Sequence, residues 1–170
     1  RAVTLILFPI CVALAAKGRW DELRVLTHKM LAGVTVLGLA TSGVTGLLAA
    51  WIIRIVYTSA YDESAVVLRV LYLGVPGLYV ATIGTFLAAS MHREKRAVLA
   101  MAIGVALNIA LNLWVIPRHG ALGAAWVSVF SQSLVAVWLT FDAYAGLARG
   151  VRALPGEKPP LETGLELGGE

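Results

Sequence analysis

Charge is what this chain has least of. Of its 170 residues only 14% are Asp, Glu, Lys or Arg, against about 25% in soluble domains, while 59% are apolar and the mean hydropathy is +0.81. That composition excludes an ordinary water-soluble domain. It also removes the net charge of +4 as a sign of nucleic-acid binding, because the basic residues fall in the breaks between apolar runs. Cysteine is nearly absent: the single Cys11 lies inside an apolar run, so no internal disulfide can form and packing is its expected role. Signatures of catalysis are missing as well, with no HExxH, no Gly-rich phosphate loop followed by Lys, no GxSxG and no carboxylate pair within an apolar run. His28, His92 and His119 are scattered over loops and make no metal set. These absences argue against an enzyme and ask for no cofactor. The chain opens on Arg1 and lacks the n-region, h-region and cleavage-site order of a secretory signal, so it reads as part of a longer protein.

What is present is a set of long uncharged runs. Met30–Ile53, Val70–Met91, Ala97–Pro117 and Ala121–Phe141 are each long enough to cross a hydrocarbon core of ~30 Å at about 1.5 Å per residue. A fifth, Ala2–Ala16, reads as the tail of a spanning helix. The expectation is an all-α, polytopic transmembrane helix bundle with about five spans, the first truncated. If the runs cross in alternation, Lys17, Arg19, Arg24, Lys29, Arg93, Lys95, Arg96, Arg149, Arg152 and Lys158 share one side, and Arg1, Arg54, Arg69 and Arg118 the other. Short Lys/Arg-rich loops stay cytoplasmic, so the chain is placed in the cytoplasmic membrane with its C-terminus on the cytoplasmic side. Trp51, Tyr57, Tyr61 and Tyr72 near one boundary and Trp20, Trp138 and Tyr144 near the other suit that depth.

Between the first two runs, "KGRWDELRVLTHK" has Trp20, Leu23 and Leu26 or Thr27 at helical spacing with charge between them, which predicts a short helix lying on the membrane surface. Residues 146–170, ending "ALPGEKPPLETGLELGGE", are rich in Pro, Gly and Glu without an apolar period and are expected to form a disordered cytoplasmic tail beyond a transmembrane unit of residues 1–145.

Lipid supplies no hydrophobic force between helices, so small residues mark the packing faces. Four stripes at four-residue spacing stand out: Gly38, Ser42 and Gly46; Gly77, Ala81, Thr85 and Ala89; Ala100 and Gly104 leading to Asn108 and Asn112; and Ala124, Ser128, Gln132 and Ala136. "PRHGALG" is short enough to make the last two runs antiparallel neighbours. Counted from that turn, Asn108 and Gln132 lie about 14 and 17 Å deep, and Asn112 and Ser128 roughly 8 and 10 Å. Two readings stay open for Asn108, Asn112 and Gln132: a hydrogen-bond ladder between helices, or the lining of a polar path. Pro76 and Gly77 interrupt the third run, either as a structural kink or as a hinge of the kind transporters use. Arg54 and Arg69 stand nearest the apolar runs, where they either snorkel to head groups or face inward to hold an anionic head group such as a diphosphate. Asp62 and Glu63 could be their ion partners. Asp142, just past the last run, is expected at the interface.

The order of these features carries a resemblance: "LFPI", then "KGRWDEL", "IIRIVYTSAYDESAVVLRVL", "TFLAASMHREKRA" and "ALNIALNLWVIPRHGALGAAWVSVFSQ". Together they resemble the C-terminal half of the polysaccharide biosynthesis flippases, in the multidrug, oligosaccharidyl-lipid and polysaccharide exporter superfamily. The stretch from Leu107 to Ala125 is the most specific, and the likeness covers residues 1 to about 145. The resemblance implies half of a two-lobed transporter that rocks about a central, often basic, cavity, with a missing N-terminal lobe as partner. It implies a polyprenyl-diphosphate-linked glycan as substrate, flipped across the cytoplasmic membrane, with glycan-assembly enzymes as further partners and no nucleic acid. Substrate-binding arginines vary within such a family, so Arg54 and Arg69 gain interest without an assigned role. A multidrug or metabolite exporter of the same architecture, or a non-transporting membrane component of glycan assembly, are the other readings.

Overall fold

A computed structural model describes residues 2–56 and 62–152, and every element in them is a helix: α1 (Ala2–Ala16), α2 (Trp20–Val56), α3 (Asp62–Leu73), α4 (Val75–Ser90) and α5 (Glu94–Arg152). Among the described residues three helical segments are long and apolar enough to cross a membrane: Trp20–Val56, Glu63–Ser90 and Glu94–Gly150. The last doubles back. At Gly120 the backbone leaves helical geometry (φ 55°, ψ −146°), a positive φ that glycine adopts without the penalty a Cβ would bring. The two limbs of α5 then run antiparallel, with Gly104 packed on Val135 and Gly123 on Val115. The expected runs Ala97–Pro117 and Ala121–Phe141 are these two limbs. At 15 residues, α1 is shorter than a full span of about 20.

The expected surface helix at 17–29 is not a separate element. Trp20 begins α2, and the helix continues unbroken to Val56. Leu23, Thr27, Leu31, Gly38, Ser42, Ala49 and Ile53 are all buried, so the amphipathic start and the apolar run share one face. Nothing interrupts the backbone where the composition changes. The charged residues Asp21, Glu22 and Arg24 occupy the opposite side of the same turns and remain exposed.

Helices α2 and α3–α4 form an antiparallel pair jointed at Pro76. Pro76 stands in the first turn of α4, and because it has no N–H it leaves the carbonyl four residues back, that of Tyr72, without a helical donor. The Ser42 hydroxyl of α2 donates a hydrogen bond to that carbonyl. One turn earlier, Gly38 faces the proline itself: a Cβ on Gly38 would stand 2.6 Å from Pro76 Cα. The expected stripe on α2 is therefore a socket for the break in its neighbour. Replacing Ser42 with Ala should strand the Tyr72 carbonyl in an apolar setting and cost about 1–3 kcal/mol of stability, measured by denaturation in mixed micelles.

On α4 the closest approach falls one register away from the expected Gly77, Ala81, Thr85, Ala89 stripe. Gly77 and Ala81 do face the second limb of α5, but Gly84 is the tighter point, where a Cβ would meet Leu139 Cβ at 2.7 Å. Leu23, Leu31, Ile83, Leu87, Ala143 and Leu147 then close a core near the end of the bundle where α1 finishes, α2 begins and α5 has both termini. Two tight turns build that end. Gly18 (φ 67°) and His92 (φ 53°) each take the left-handed conformation after a helix. Arg19 N–H bonds Leu14 O and Gly18 N–H bonds Ala15 O; Arg93 N–H bonds Ala88 O and His92 N–H bonds Ala89 O. Both are Schellman caps, which satisfy carbonyls orphaned at a helix end. The helix of α5 runs on to Arg152; the rest of the expected disordered tail lies outside the described residues. So do residues 57–61, where the bend between the first two full runs was expected.

Candidate functional site

The polar residues of α5 meet about halfway along its hairpin. Asn108 Nδ2 donates to Ser131 Oγ at 2.8 Å, Ser131 Oγ donates on to Ser128 O at 3.1 Å, and Asn112 Nδ2 donates to Asn108 Oδ1 at 3.0 Å. Only the bond from Asn108 crosses between the limbs; the other two lie each within one limb. At the other end of this chain, the Asn112 Oδ1 acceptor is buried and takes no hydrogen bond. Asn108 and Asn112 also line a shallow groove of about 320 Å³ with Ile109, Leu113, Ile116 and Pro117. An unmatched amide oxygen in an apolar wall is costly, and a turn of the Asn112 amide toward the groove would let it take a donor there.

The expected pairing of Asn108 and Asn112 with Ser128 and Gln132 is corrected in part. Ser131, fully within the hairpin, is the cross-limb partner, and Ser128 turns its hydroxyl back to Ala124 O. Gln132 is one position further round the helix and faces elsewhere: its Oε1 lies 2.9 Å from where a Cβ on Gly74 would stand. Gln132 thus belongs to the joint between α3 and α4, not to the asparagine ladder. A depth count from the turn could not separate residues 131 and 132, since they differ by about 1.5 Å in height but about 100° in direction.

Arg54 and Arg69 sit at the opposite end from most of the basic residues. Both are exposed. Arg69 Nε donates to Gly46 O at 3.0 Å, which uses the third small residue of the α2 stripe as an acceptor. Arg69 is thereby tied from α3 to α2, and Arg54 stands in the last turn of α2.

One polar cluster was not expected. Asp142 is only 5% exposed, enclosed between the helix ends instead of open to solvent. Its Oδ1 accepts from Arg93 Nη2 at 2.5 Å and from Arg96 Nη1 at 3.2 Å, and its backbone carbonyl accepts from Arg93 Nη1 at 2.8 Å. The left-handed turn at His92 aims Arg93 back across the bundle, and Gly146 leaves the room: a Cβ there would stand 2.6 Å from Arg93 Nη1. Burial pulls the Arg93 guanidinium below its ordinary pKa, the carboxylate of Asp142 pulls it back up, and the charges of Arg96 and Arg149 lower it again. The signal was in the sequence. In a hairpin centred on Gly120, Asp142 falls opposite residues 96–98, one turn from Arg93. His28, expected at the surface, is exposed but pairs with Tyr144, whose hydroxyl lies 2.9 Å from Nδ1. Among the described residues no group of His, Cys, Asp or Glu could hold a metal ion. Compared with known protein families, characterised proteins and solved structures, the chain matches none.

Proposed function

We propose that this chain is one lobe of a two-lobed alternating-access transporter, and that its cargo is a polyprenyl-diphosphate-linked glycan moved across the cytoplasmic membrane. The observation that carries the reading is the asparagine ladder of α5, which ends in an unmatched acceptor beside a groove in an otherwise apolar hairpin. Intramembrane polar groups cluster on substrate paths, and hydroxyl-rich sugars supply the donors that Asn112 Oδ1 lacks. The helix broken at Gly74 and Pro76 adds support, because a broken helix gives a lobe a place to flex. In this reading the second lobe is supplied by a preceding transmembrane unit, the basic end and the C-terminus face the cytoplasm, and Arg54 and Arg69 meet the diphosphate at the opposite mouth.

The test separates lining from glue. In the complete protein, Asn112→Leu removes an amide with an unmet acceptor but also takes the donor from Asn108 Oδ1, so stability should fall by about 1 kcal/mol and membrane abundance should be kept. Transport of lipid-linked glycan to the outer leaflet should fall about tenfold or more. Arg54→Gln and Arg69→Gln should lower transport at unchanged membrane abundance. If Asn112→Leu transports normally, the ladder only joins helices and the cargo path lies elsewhere.

A further inference from the structure

The Arg93, Arg96 and Asp142 cluster has more positive charge than it can neutralise within itself. Two guanidinium groups, Arg93 and Arg96, bond one buried carboxylate, and a third, Arg149, lies near enough for its charge to act on Arg93. The neighbouring Glu94 and Lys95 offset each other. A formal excess of two positive charges is therefore fixed at the point where α4 ends and α5 begins and returns. The two bonded arginines divide the work. The Arg93 side chain is 13% exposed and commits both terminal nitrogens to Asp142. The Arg96 side chain is 54% exposed and bonds Asp142 through Nη1 alone, at 3.2 Å, so donors remain on Nη2 and Nε. Arg149, also exposed, lies seven residues past Asp142 and so on the same face of the second limb.

We infer that Arg96, held by Asp142, and Arg149, on the same face of the second limb as Asp142, form a binding site for a phosphate group at the basic end of the bundle. Guanidinium groups suit a phosphate because their planar fork matches two of its oxygens, and Asp142 removes part of the entropy cost by fixing Arg96 beforehand. The site lies where the segment Glu63–Ser90 finishes and the segment Glu94–Gly150 both starts and returns, and the ends of membrane-crossing helices are the level at which lipid head groups lie. The phosphate can come from an anionic lipid or from a free phosphate ester, and competition distinguishes the two. The inference does not depend on what the chain transports.

The experiment measures retention of phosphatidic acid by the full chain, in micelles and in phosphatidylcholine vesicles doped with that lipid. Arg96→Gln and Arg149→Gln should each weaken retention about fivefold, and the double variant more. Arg96→Lys should keep most of it. Lys17→Gln with Arg24→Gln, two exposed charges at the same end, should change it less than twofold. Displacement by inorganic phosphate assigns the site to free phosphate esters; retention against phosphate assigns it to lipid. Arg149 takes no part in fixing Asp142, so Arg149→Gln keeps the fold and decides alone if Arg96→Gln does not fold. Unchanged retention in Arg149→Gln, or an equal loss in the Lys17 and Arg24 variant, overturns the inference, because the binding would then belong to the whole basic surface.

Discussion

Asp142→Asn is expected to destabilise the bundle by about 3 kcal/mol, measured by denaturation in mixed micelles. Breaking a buried ion pair by removing one partner leaves the other charge out of water without compensation, an effect of about 3–5 kcal/mol. The lower part of that range applies, because Arg96 is half exposed and can turn to solvent, whereas Arg93 cannot. The loss should be local first: amide protection should fall near Leu87, Ala143 and Leu147, which pack together beside the cluster. Adding Arg93→Met to Asp142→Asn should recover part of the loss, since an apolar pair of similar shape removes the buried charge altogether. If Asp142→Asn alone stays within about 0.5 kcal/mol, the pair is solvated and the base of the hairpin is held by apolar contacts only.

Asp142 also shows where reading the sequence stops. Its position at the edge of an apolar run fits an interfacial carboxylate and a buried one equally well, because hydropathy locates a residue along the helix and not around it. The arginines that bury it come from residues 93 and 96, and they reach it only because His92 reverses the chain in a left-handed turn that no local motif announces. Glycine, the usual residue for such a turn, stands at the equivalent position of the other Schellman cap, Gly18. A reader looking for that glycine passes over His92. The hairpin itself was legible, since "PRHG" is both the right length and supplies the one positive φ that the reversal needs.

Direction around a helix explains the other differences as well. Asn108 and Asn112 were placed on one stripe of the first limb, and the Asn108 donor does cross to the second, while Asn112 donates to Asn108. The partner was read as Ser128 or Gln132 because four-residue spacing links those two with Ala124 and Ala136. The limbs cross so that Ser131 comes opposite Asn108, and Gln132 turns toward Gly74. The start of α2 failed for a different reason. A change from charged to apolar composition was taken as a boundary between elements, but a helix ends where its backbone must leave helical geometry, and Arg19 to Met30 contains no glycine or proline to force that.

The α2 stripe offers the sharper contrast, because one substitution should act in opposite directions at two points on the same helix. Gly38→Ala should destabilise by about 2–3 kcal/mol. The new Cβ would stand 2.6 Å from Pro76 Cα and 3.1 Å from Pro76 N, and a proline backbone wedged at a helix break cannot yield as a flexible side chain would. Alanine's helix preference over glycine, about 1 kcal/mol, offsets part of the strain and does not cancel it. Gly43→Ala sits on the exposed side of α2 with nothing within 4 Å of the added atom, so there the preference acts unopposed and stability should rise by a few tenths of a kcal/mol up to about 1. Because Gly38 and Ser42 hold the same break, Gly38→Ala should also weaken the bond from Ser42 to Tyr72 O. A cycle with Ser42→Ala should then show coupling: the double variant should lose less than the two single losses added together. Strict additivity would mean that Pro76 shifts without disturbing Tyr72, and the break would then be two independent contacts instead of one joint.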